Sequence, residues 1–162
     1  MVAQCSLGRL LVAATVEGVC SVRLGSTVGA LREELKQEFS SATLKRGGGE
    51  LEEWVKAFVD FIDRQAPLPD LPHDVQATAF QRQVWDAIRA IPTGETATYG
   101  ELATAIGQPK SARAVAQACA SNPLALLVPC HRVVPKAGGS GGYRWGRERK
   151  EELLARERGA KR

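Results

Sequence analysis

The spacing of apolar side chains predicts a sheet followed by helices in the first part of the chain. Residues 5–16 and 19–24 are predicted to be two strands, joined by a turn at Glu17-Gly18. Two amphipathic helices follow at 28–39 and 50–65, because their apolar residues recur every three or four positions. The first part therefore predicts a small sheet with flanking helices.

The second part is predicted to be mainly helical. Thr78 caps a first helix that extends to about position 91. The further predicted elements are helices at 99–106 and 111–122, an apolar strand ending at Cys130, a glycine-rich loop at 135–146, and a helix at 147–158 with a frayed tail at 159–162. The two short helices, separated by Gly107-Gln108-Pro109, have the shape of a helix-turn-helix unit.

A proline-rich segment separates the two parts. Residues 66–72 contain three prolines and are predicted to link a domain at 1–72 to a domain at 73–162. Residues 1–75 carry 8 Lys and Arg against 11 Asp and Glu, a net charge of −3, whereas residues 76–162 carry 14 against 7, a net charge of +7. A basic half is typical of a protein that meets nucleic acid, although a solvated basic surface gives the same count.

Composition excludes several classes of protein. With 44% hydrophobic residues the chain can bury a core, yet no apolar run approaches the roughly 20 residues of a membrane helix. No basic start followed by a clean apolar block marks a secretory signal. Cys5, Cys20, Cys119 and Cys130 form no CxxC pair or finger spacing, which favours reduced thiols and a cytoplasmic location.

The segment Pro129-Cys130-His131-Arg132-Val133 carries the most specific chemistry. A cysteine is nucleophilic as its thiolate, and a neighbouring histidine is the usual group that removes the proton. In a straight strand Cys130 and His131 would point to opposite faces. Either the chain turns after Pro129, or a water molecule carries the proton between them. A buried cysteine at the end of a core strand is the structural alternative.

The second helix of the helix-turn-helix pair is unusually rich in alanine. Residues 112–120 alternate alanine with other side chains, so this surface can approach a narrow groove closely but offers little hydrogen-bonding readout. We expect sequence-tolerant contact with DNA, in the minor groove. Arg113 is the exception, and it could enter the base stack where a nucleotide has left. The alternative is a core-filling helix with Arg113 in a surface ion pair.

Three stretches together resemble a known family. They are FQRQVWDAIRAIPTGETATYGELATAIGQPKSARAVAQACASNPLALLVPCHRVV, GYRWGRERKEELLARE and, more faintly, CSLGRLLVA. The chain resembles the O6-alkylguanine-DNA alkyltransferases, most closely the alkyltransferase half of the bacterial adaptive-response members. The resemblance implies an α+β fold, with a ribonuclease-H-like N-terminal sheet and helices and a mainly helical, winged-helix-like catalytic domain.

The resemblance also assigns site residues. Cys130 matches the alkyl acceptor and His131 the base, which works through a water. Glu157 matches the carboxylate that orients the histidine, Asn122 belongs to the same network, and Tyr99 matches the donor to the purine. The implied DNA-contacting residues are Arg113, which fills the gap left by the flipped base, and Ala112, Ala114, Ala116, Gln117 and Ala120. The implied walls of the base pocket are Tyr143, Val133, Pro129, Gly142 and Arg144.

The function implied is direct reversal of O6-methylguanine, and of O4-methylthymine, in duplex DNA. A methylated-DNA–[protein]-cysteine S-methyltransferase of this kind flips the base out and keeps the methyl group, so each molecule acts once. We expect a monomer with no membrane association, obligate protein partner, metal or cofactor. Cys5 and Cys20 are expected to be buried thiols rather than zinc ligands.

Three other functions are open. They are a lesion-binding module without chemistry, a helix-turn-helix regulator, and a cysteine hydrolase that turns over many times. The adaptive-response relatives carry a further N-terminal zinc domain that repairs methyl phosphotriesters, and nothing in this sequence corresponds to it. A role as transcriptional activator is therefore not expected.

Overall fold

Two compact units make up the chain. The computed structural model describes residues 1–161. The first unit consists of residues 1–75 and 123–127, and the second contains 76–122 and the described chain from 128 onward. The mixed helix-and-sheet class is confirmed. The ribonuclease-H-like and winged-helix assignments and the domain boundary after residue 72 stay predictions, and the return of 123–127 to the first unit was not predicted.

A three-stranded antiparallel sheet forms the centre of the first unit. Its strands are β1 (Val2–Cys5), β2 (Gly8–Ala14) and β3 (Val19–Gly25), in that spatial order. The prediction of one strand at 5–16 is wrong, because the chain reverses so that Cys5 pairs with Gly8. Gly8 has a φ of 112°, which glycine adopts without steric cost. No Asn-Gly or Asp-Gly pair marks this reversal in the sequence.

Two helices cover this sheet. They are α1 (Val28–Glu38) and α2 (Glu50–Arg64). Leu31 and Leu35 of α1 pack with Leu11 of β2, and α2 contacts β1 and β2. Leu10, Leu11 and Val12 are each at most 1% exposed. Since successive strand residues point to opposite faces, both faces of β2 are covered.

The free edge of β3 is closed by two bridges. The amide of Val19 donates to the carbonyl of Pro72 at 2.8 Å, and the amide of Asp74 donates back to Val19 at 2.8 Å. Further along, Val22 bridges Leu124 in the same way. The proline-rich segment and the segment 123–127 are thus fastened to the sheet edge.

The apolar run before Cys130 is buried but is not a strand, so that prediction is wrong. Only Leu124 makes a bridge, and the residues after it turn. Leu126 has a φ of 70°, in the left-handed region that no strand uses. The run is apolar because the chain is buried there, and periodicity alone cannot distinguish that from a core strand.

The second unit is mainly helical, as predicted. Its elements are α3 (Ala79–Arg89), β4 (Ala97–Thr98), α4 (Tyr99–Ala105), α5 (Ala112–Ala120), β5 (Val133–Val134) and α6 (Arg147–Lys161). Thr78 caps α3, as expected, in a reciprocal pair with Gln81, and Thr98 caps α4 with Glu101 in the same manner. The strands β4 and β5 pair in parallel.

The helix boundaries match the sequence pattern to within a few residues. The helix-turn-helix pair is α4 and α5, which contact each other. The last helix extends beyond position 158 to Lys161, and position 162 of the expected frayed tail lies outside the described residues. None of the described helices combines the length and hydropathy needed to cross a membrane.

We predict opposite effects for two glycine-to-alanine substitutions. Gly18 has a φ of +150°, and a Cβ there would lie 2.5 Å from the carbonyl atoms of Pro72. Gly18→Ala should lower the free energy of unfolding by about 1–3 kcal/mol. Gly29 lies exposed in α1 with nothing within 4 Å of its Cβ position. Gly29→Ala should raise it by up to about 1 kcal/mol. Urea denaturation measures both, and equal effects would contradict the role of the Gly18 contact.

Candidate active site

The candidate nucleophile lies in a turn rather than at the end of a strand. Cys130, His131 and Arg132 form one turn of 3-10 helix that starts after Pro129. Pro129 has a φ of −78°, close to the value that its ring imposes. The chain therefore turns after Pro129, and a water between Cys130 and His131 stays a prediction. Cys130 is 6% and His131 0% exposed, so both side chains are buried.

The Cys130 thiol receives a hydrogen bond from Asn122. The Nδ2 of Asn122 lies 3.2 Å from Cys130 Sγ and 3.1 Å from the carbonyl oxygen of Val128. Asn122 follows the end of α5 and is 0% exposed. The backbone carbonyl oxygen of Asn122 accepts a hydrogen bond from NH1 of Arg144 at 2.9 Å. One buried amide thus fixes the position of the sulfur relative to the chain before it.

The resting site holds Cys130 as a thiol. Burial raises the pKa of Cys130 to about 11, against the hydrogen bond from Asn122 and the positive charges of Lys150 and Arg144, which lower it. A thiolate at neutral pH is therefore a minor form in the unbound protein. The proton must be removed during the reaction rather than before it.

His131 and Glu157 form a buried pair, as the resemblance implied. Nε2 of His131 lies 2.7 Å from Oε1 of Glu157. The other ring nitrogen, Nδ1, is buried and has no hydrogen-bond partner among the described residues. An ionised carboxylate only accepts, so Nε2 carries the ring proton and Nδ1 is the basic atom.

Arg132 shares the same carboxylate, a contact that the sequence analysis did not assign. Its Nε donates to Oε2 of Glu157 at 2.9 Å and its NH2 to Oε1 at 2.9 Å. The guanidinium also donates to the carbonyl of Ile91 at 2.8 Å and to the hydroxyl of Thr93 at 3.0 Å. The position of Arg132 in the Cys-His-Arg motif was the signal, but adjacency alone did not indicate its partner.

These contacts set the protonation of the pair. Burial alone would raise the pKa of Glu157, but the hydrogen bonds from His131 and Arg132 outweigh it and lower the pKa to about 2. Burial lowers the pKa of His131; Glu157 opposes this shift, while Arg132 and Lys150 add to it. The carboxylate by itself makes the imidazole more basic, but burial outweighs it and the net shift is downward. His131 is thus a neutral imidazole at rest.

Lys150 is a second group that the sequence analysis missed. It is 1% exposed, and its Nζ donates to the carbonyls of Val133 at 2.6 Å and Gly142 at 3.1 Å. It therefore ties the glycine-rich loop to β5. Lys150 and Glu157 are seven residues apart, on the helix face that carries buried Leu153 and Leu154. That placement of two charges on an apolar face was the available sequence signal.

The predicted pocket residues surround this centre. The Tyr143 ring meets the His131 ring edge-on, with centroids 6.5 Å apart, and its hydroxyl is buried without a partner among the described residues. The remaining predicted walls differ in exposure: Pro129 and Val133 are buried, and Gly142 and Arg144 are exposed. Arg144 also lies over the Trp145 ring, 5.5 Å from its centroid.

Tyr99 is the first residue of α4. Burial, and then the thiols of Cys119 and Cys130, raise its pKa. The phenol therefore keeps its proton at neutral pH and remains a donor. Its side chain is half-buried.

The predicted DNA-contacting residues lie on one side of α5. Arg113, Ala114, Gln117 and Ala120 are exposed, and Ala112 and Ala116 are half-buried. The opposite side is buried, where the Trp85 indole donates to the carbonyl of Ala118 at 2.9 Å. Arg113 makes no hydrogen bond or ion pair within residues 1–161. The structure therefore does not support the alternative that Arg113 forms a surface ion pair.

The other cysteines are buried. Cys5, Cys20 and Cys119 each form no disulfide. Burial raises the pKa of Cys119 to about 12, so this thiol is less acidic than Cys130. Within the described part of the chain, no group of three His, Cys, Asp or Glu residues could hold a metal ion.

Known proteins match this chain closely. A family model described as the DNA binding domain of 6-O-methylguanine DNA methyltransferase matches residues 79–159. The chain is 46% identical over 155 residues to the bifunctional transcriptional activator/DNA repair enzyme Ada of Escherichia coli K12, covering 96% of this chain and 44% of that protein. It is 38% identical over 143 residues to the methylated-DNA–protein-cysteine methyltransferase of Saccharomyces cerevisiae YJM789, covering 83% and 74%.

A solved structure extends the match to the fold. The crystal structure of Mycobacterium tuberculosis OGT in complex with DNA superposes with a TM-score of 0.83 at 32% identity, covering 98% of this chain and 91% of that one. The chain spans less than half of the length of the Escherichia coli relative. Because the family model covers the whole Cys130 site and two relatives match most of both chains, the chain belongs to the 6-O-methylguanine DNA methyltransferase family.

Proposed function

We propose that this chain repairs DNA by moving the methyl group of O6-methylguanine, and of O4-methylthymine, in duplex DNA to Cys130. The observation that carries the proposal is a buried thiol held by Asn122 beside the His131–Glu157 pair. The yeast relative is named for the transfer of methyl groups from DNA to a protein cysteine, and the mycobacterial relative was crystallised with DNA. None of these observations favours a regulator, a lesion-binding module or a hydrolase.

The bonds, electrons and protons of the methyl transfer can be accounted for with side chains of this protein and water. Cys130 Sγ attacks the methyl carbon in line, the carbon–oxygen bond breaks, and its electron pair goes to the purine oxygen. The thiol proton passes through a water to Nδ1 of His131, whose new charge Glu157 stabilises. The Tyr99 hydroxyl donates a hydrogen bond to the departing purine as negative charge develops. The proton held by His131 then returns through solvent to the purine anion, which leaves neutral guanine and a neutral imidazole. The sulfur is left as a thioether, so each molecule acts once and requires no cofactor.

The damaged base must leave the duplex before it can react. Flipping it costs a few kcal/mol, because stacking and pairing are lost. The exposed side of α5 faces the DNA in this proposal, and Arg113 enters the stack in place of the base. The base then lies between the glycine-rich loop with Tyr143 and the turn at Pro129. The net charge of +7 on residues 76–162 favours this half as the DNA-binding part.

The protein in this proposal is a cytoplasmic monomer. Its four described cysteines form no disulfide, as expected in a reducing compartment. The domains assigned are 1–72 for structural support and 73–162 for DNA binding and alkyl transfer. The transcriptional activity named for the Escherichia coli relative is not part of the proposal.

Mixing the protein with methylated duplex should add one methyl group to the peptide that contains Cys130. Mass spectrometry should find DNA restored in proportion to protein, without turnover. Cys130→Ser should abolish transfer but retain DNA affinity, whereas Cys5→Ser should transfer normally. Repair by the serine variant at Cys130 would show that the nucleophile is another residue.

Arg113→Ala should slow repair of duplex DNA about tenfold or more, because the cost of flipping is no longer offset. Reaction with free O6-benzylguanine, which needs no flipping, should change less than about twofold on the same physical ground. Lys36→Ala removes an exposed positive charge on α1 and serves as the matched control. Equal losses on both substrates would remove Arg113 from this role.

Glu157→Gln should flatten the acid dependence of stability. The pKa of Glu157 lies at about 2 in the folded protein, below the ordinary 4.5, so its contribution is present above pH 4.5 and lost as the pH falls toward 2. The variant should be less stable at pH 7 by about 3 kcal/mol, since buried Arg132 loses its counter-ion. Urea denaturation at pH 7, 5 and 3 tests this, with Glu148→Gln as a control on the exposed side of α6. If the free energy of unfolding of Glu157→Gln falls between pH 7 and 3 as steeply as that of the wild type, the prediction is contradicted.

A further inference from the structure

Two side chains compete for one buried carboxylate. Oε1 of Glu157 lies 2.7 Å from His131 Nε2 and 2.9 Å from the NH2 of Arg132. Oε2 accepts from Arg132 Nε at 2.9 Å. Arg132 therefore holds both carboxylate oxygens, whereas His131 shares one of them. Such a two-point contact is among the strongest that a carboxylate makes.

The position of Arg132 does not depend on the carboxylate alone. The carbonyl of Ile91 and the hydroxyl of Thr93, both uncharged, also accept from it. Its side chain is buried, so the charge is little screened by solvent. A guanidinium does not lose its proton in a protein. The site thus contains one permanent positive charge next to the imidazole.

That charge changes what Glu157 does to His131. A lone ionised carboxylate at hydrogen-bonding distance favours the imidazolium form. An imidazole already protonated cannot accept the proton of the thiol. With Arg132 on the same carboxylate, a proton on His131 creates a second positive charge beside the first. The pair can then orient the ring without charging it at rest.

The structure assigns to Arg132 the role of a positioning residue: by occupying both oxygens of Glu157 it adds to burial in keeping His131 neutral and ready to take a proton through Nδ1. The assignment rests on the proposed alkyl transfer and adds a residue that sets when His131 can act. Arg132 acts through Glu157 and His131 and does not touch the reacting atoms.

Apart from Glu157, the groups around His131 either lower its pKa, as Arg132 does, or are uncharged. From α6, Lys150 adds positive charge, and Glu157 supplies the negative charge. From the glycine-rich loop, Tyr143 meets the ring edge-on and burial keeps its phenol protonated by raising its pKa. The adjacent Cys130 is a thiol at rest because its pKa is about 11. Removing Arg132 therefore leaves the effect of Glu157 opposed by burial and by Lys150.

Nitrogen-15 NMR of the wild-type protein tests the assignment without any DNA. His131 should be neutral at pH 7, with the proton on Nε2 and none on Nδ1, and it should remain neutral at pH 6. His73, which is exposed, is the only other histidine and provides the internal reference; His73→Gln identifies its signals. A charged His131 at pH 7, or a proton on Nδ1, would overturn the role of Arg132.

Three variants separate charge from structure. Arg132→Met should raise the His131 pKa by at least about one unit, a tenfold shift toward imidazolium. Arg132→Lys keeps the charge and should stay within about half a unit of wild type. Arg156→Met removes an arginine that pairs with Glu152 instead, and should leave His131 unchanged. An unchanged His131 in a folded Arg132→Met variant would refute the proposal. If that variant does not fold, Arg132→Gln, which removes the charge but keeps an amide donor, takes its place.

The rate of repair provides the functional readout. The acid limb of the pH–rate profile should move to higher pH in Arg132→Met and stay in place in Arg132→Lys. If Arg132→Met repairs DNA more slowly at every pH and the acid limb does not move, Arg132 has only a structural role. A wild-type protein with the expected spectrum but no repair would refute the proposed alkyl transfer alone. Repair with a charged resting His131 would refute the Arg132 assignment alone.

Discussion

The buried carboxylate of Glu157 is the interaction on which the second unit of this protein depends. Glu157 is 6% exposed, and burying a charge costs several kcal/mol unless its hydrogen bonds are satisfied. Both oxygens are satisfied, by His131 and Arg132 of one turn. The same contacts join α6 to that turn, and through Arg132 to the segment after α3. The groups that stabilise the unit are therefore the groups that set the chemistry.

Burial also determines the resting state of the nucleophile. The pKa of Cys130 is raised to about 11, so the reactive thiolate is rare until a base is available to take the proton. In the proposed reaction the product is a permanent thioether, so a thiol that reacts with other electrophiles would be lost to repair. A buried thiol beside a neutral imidazole limits such loss, because deprotonation awaits the arrival of the substrate. Lys150 then supplies positive charge where the thiolate forms.

Local signals explain what the sequence predicted well. Thr78 and Thr98 each have their reciprocal partner three residues later, so the starts of α3 and α4 follow from hydrogen bonds within one turn. The apolar spacing likewise predicted α1 and α2, whose buried residues recur every three or four positions. The strand predictions were wrong at the two places where contacts distant in sequence, rather than a local turn motif or strand periodicity, determine the conformation. The turn between β1 and β2 lacks a turn motif, and the run before Cys130 is apolar because of distant packing rather than strand periodicity.

The Cys-His motif, the helix-turn-helix spacing and the alanine-rich face of α5 were all determined by the sequence alone. They indicated the family because each is a local pattern in the order of the residues. Only the tertiary structure decided that Arg132 and Lys150 belong to the site and that His131 is less basic than a free histidine. Arg132 and Glu157 are 25 residues apart and meet only because α6 packs on the turn. A pKa depends on burial and on charges brought together by folding, and no residue pattern contains that distance.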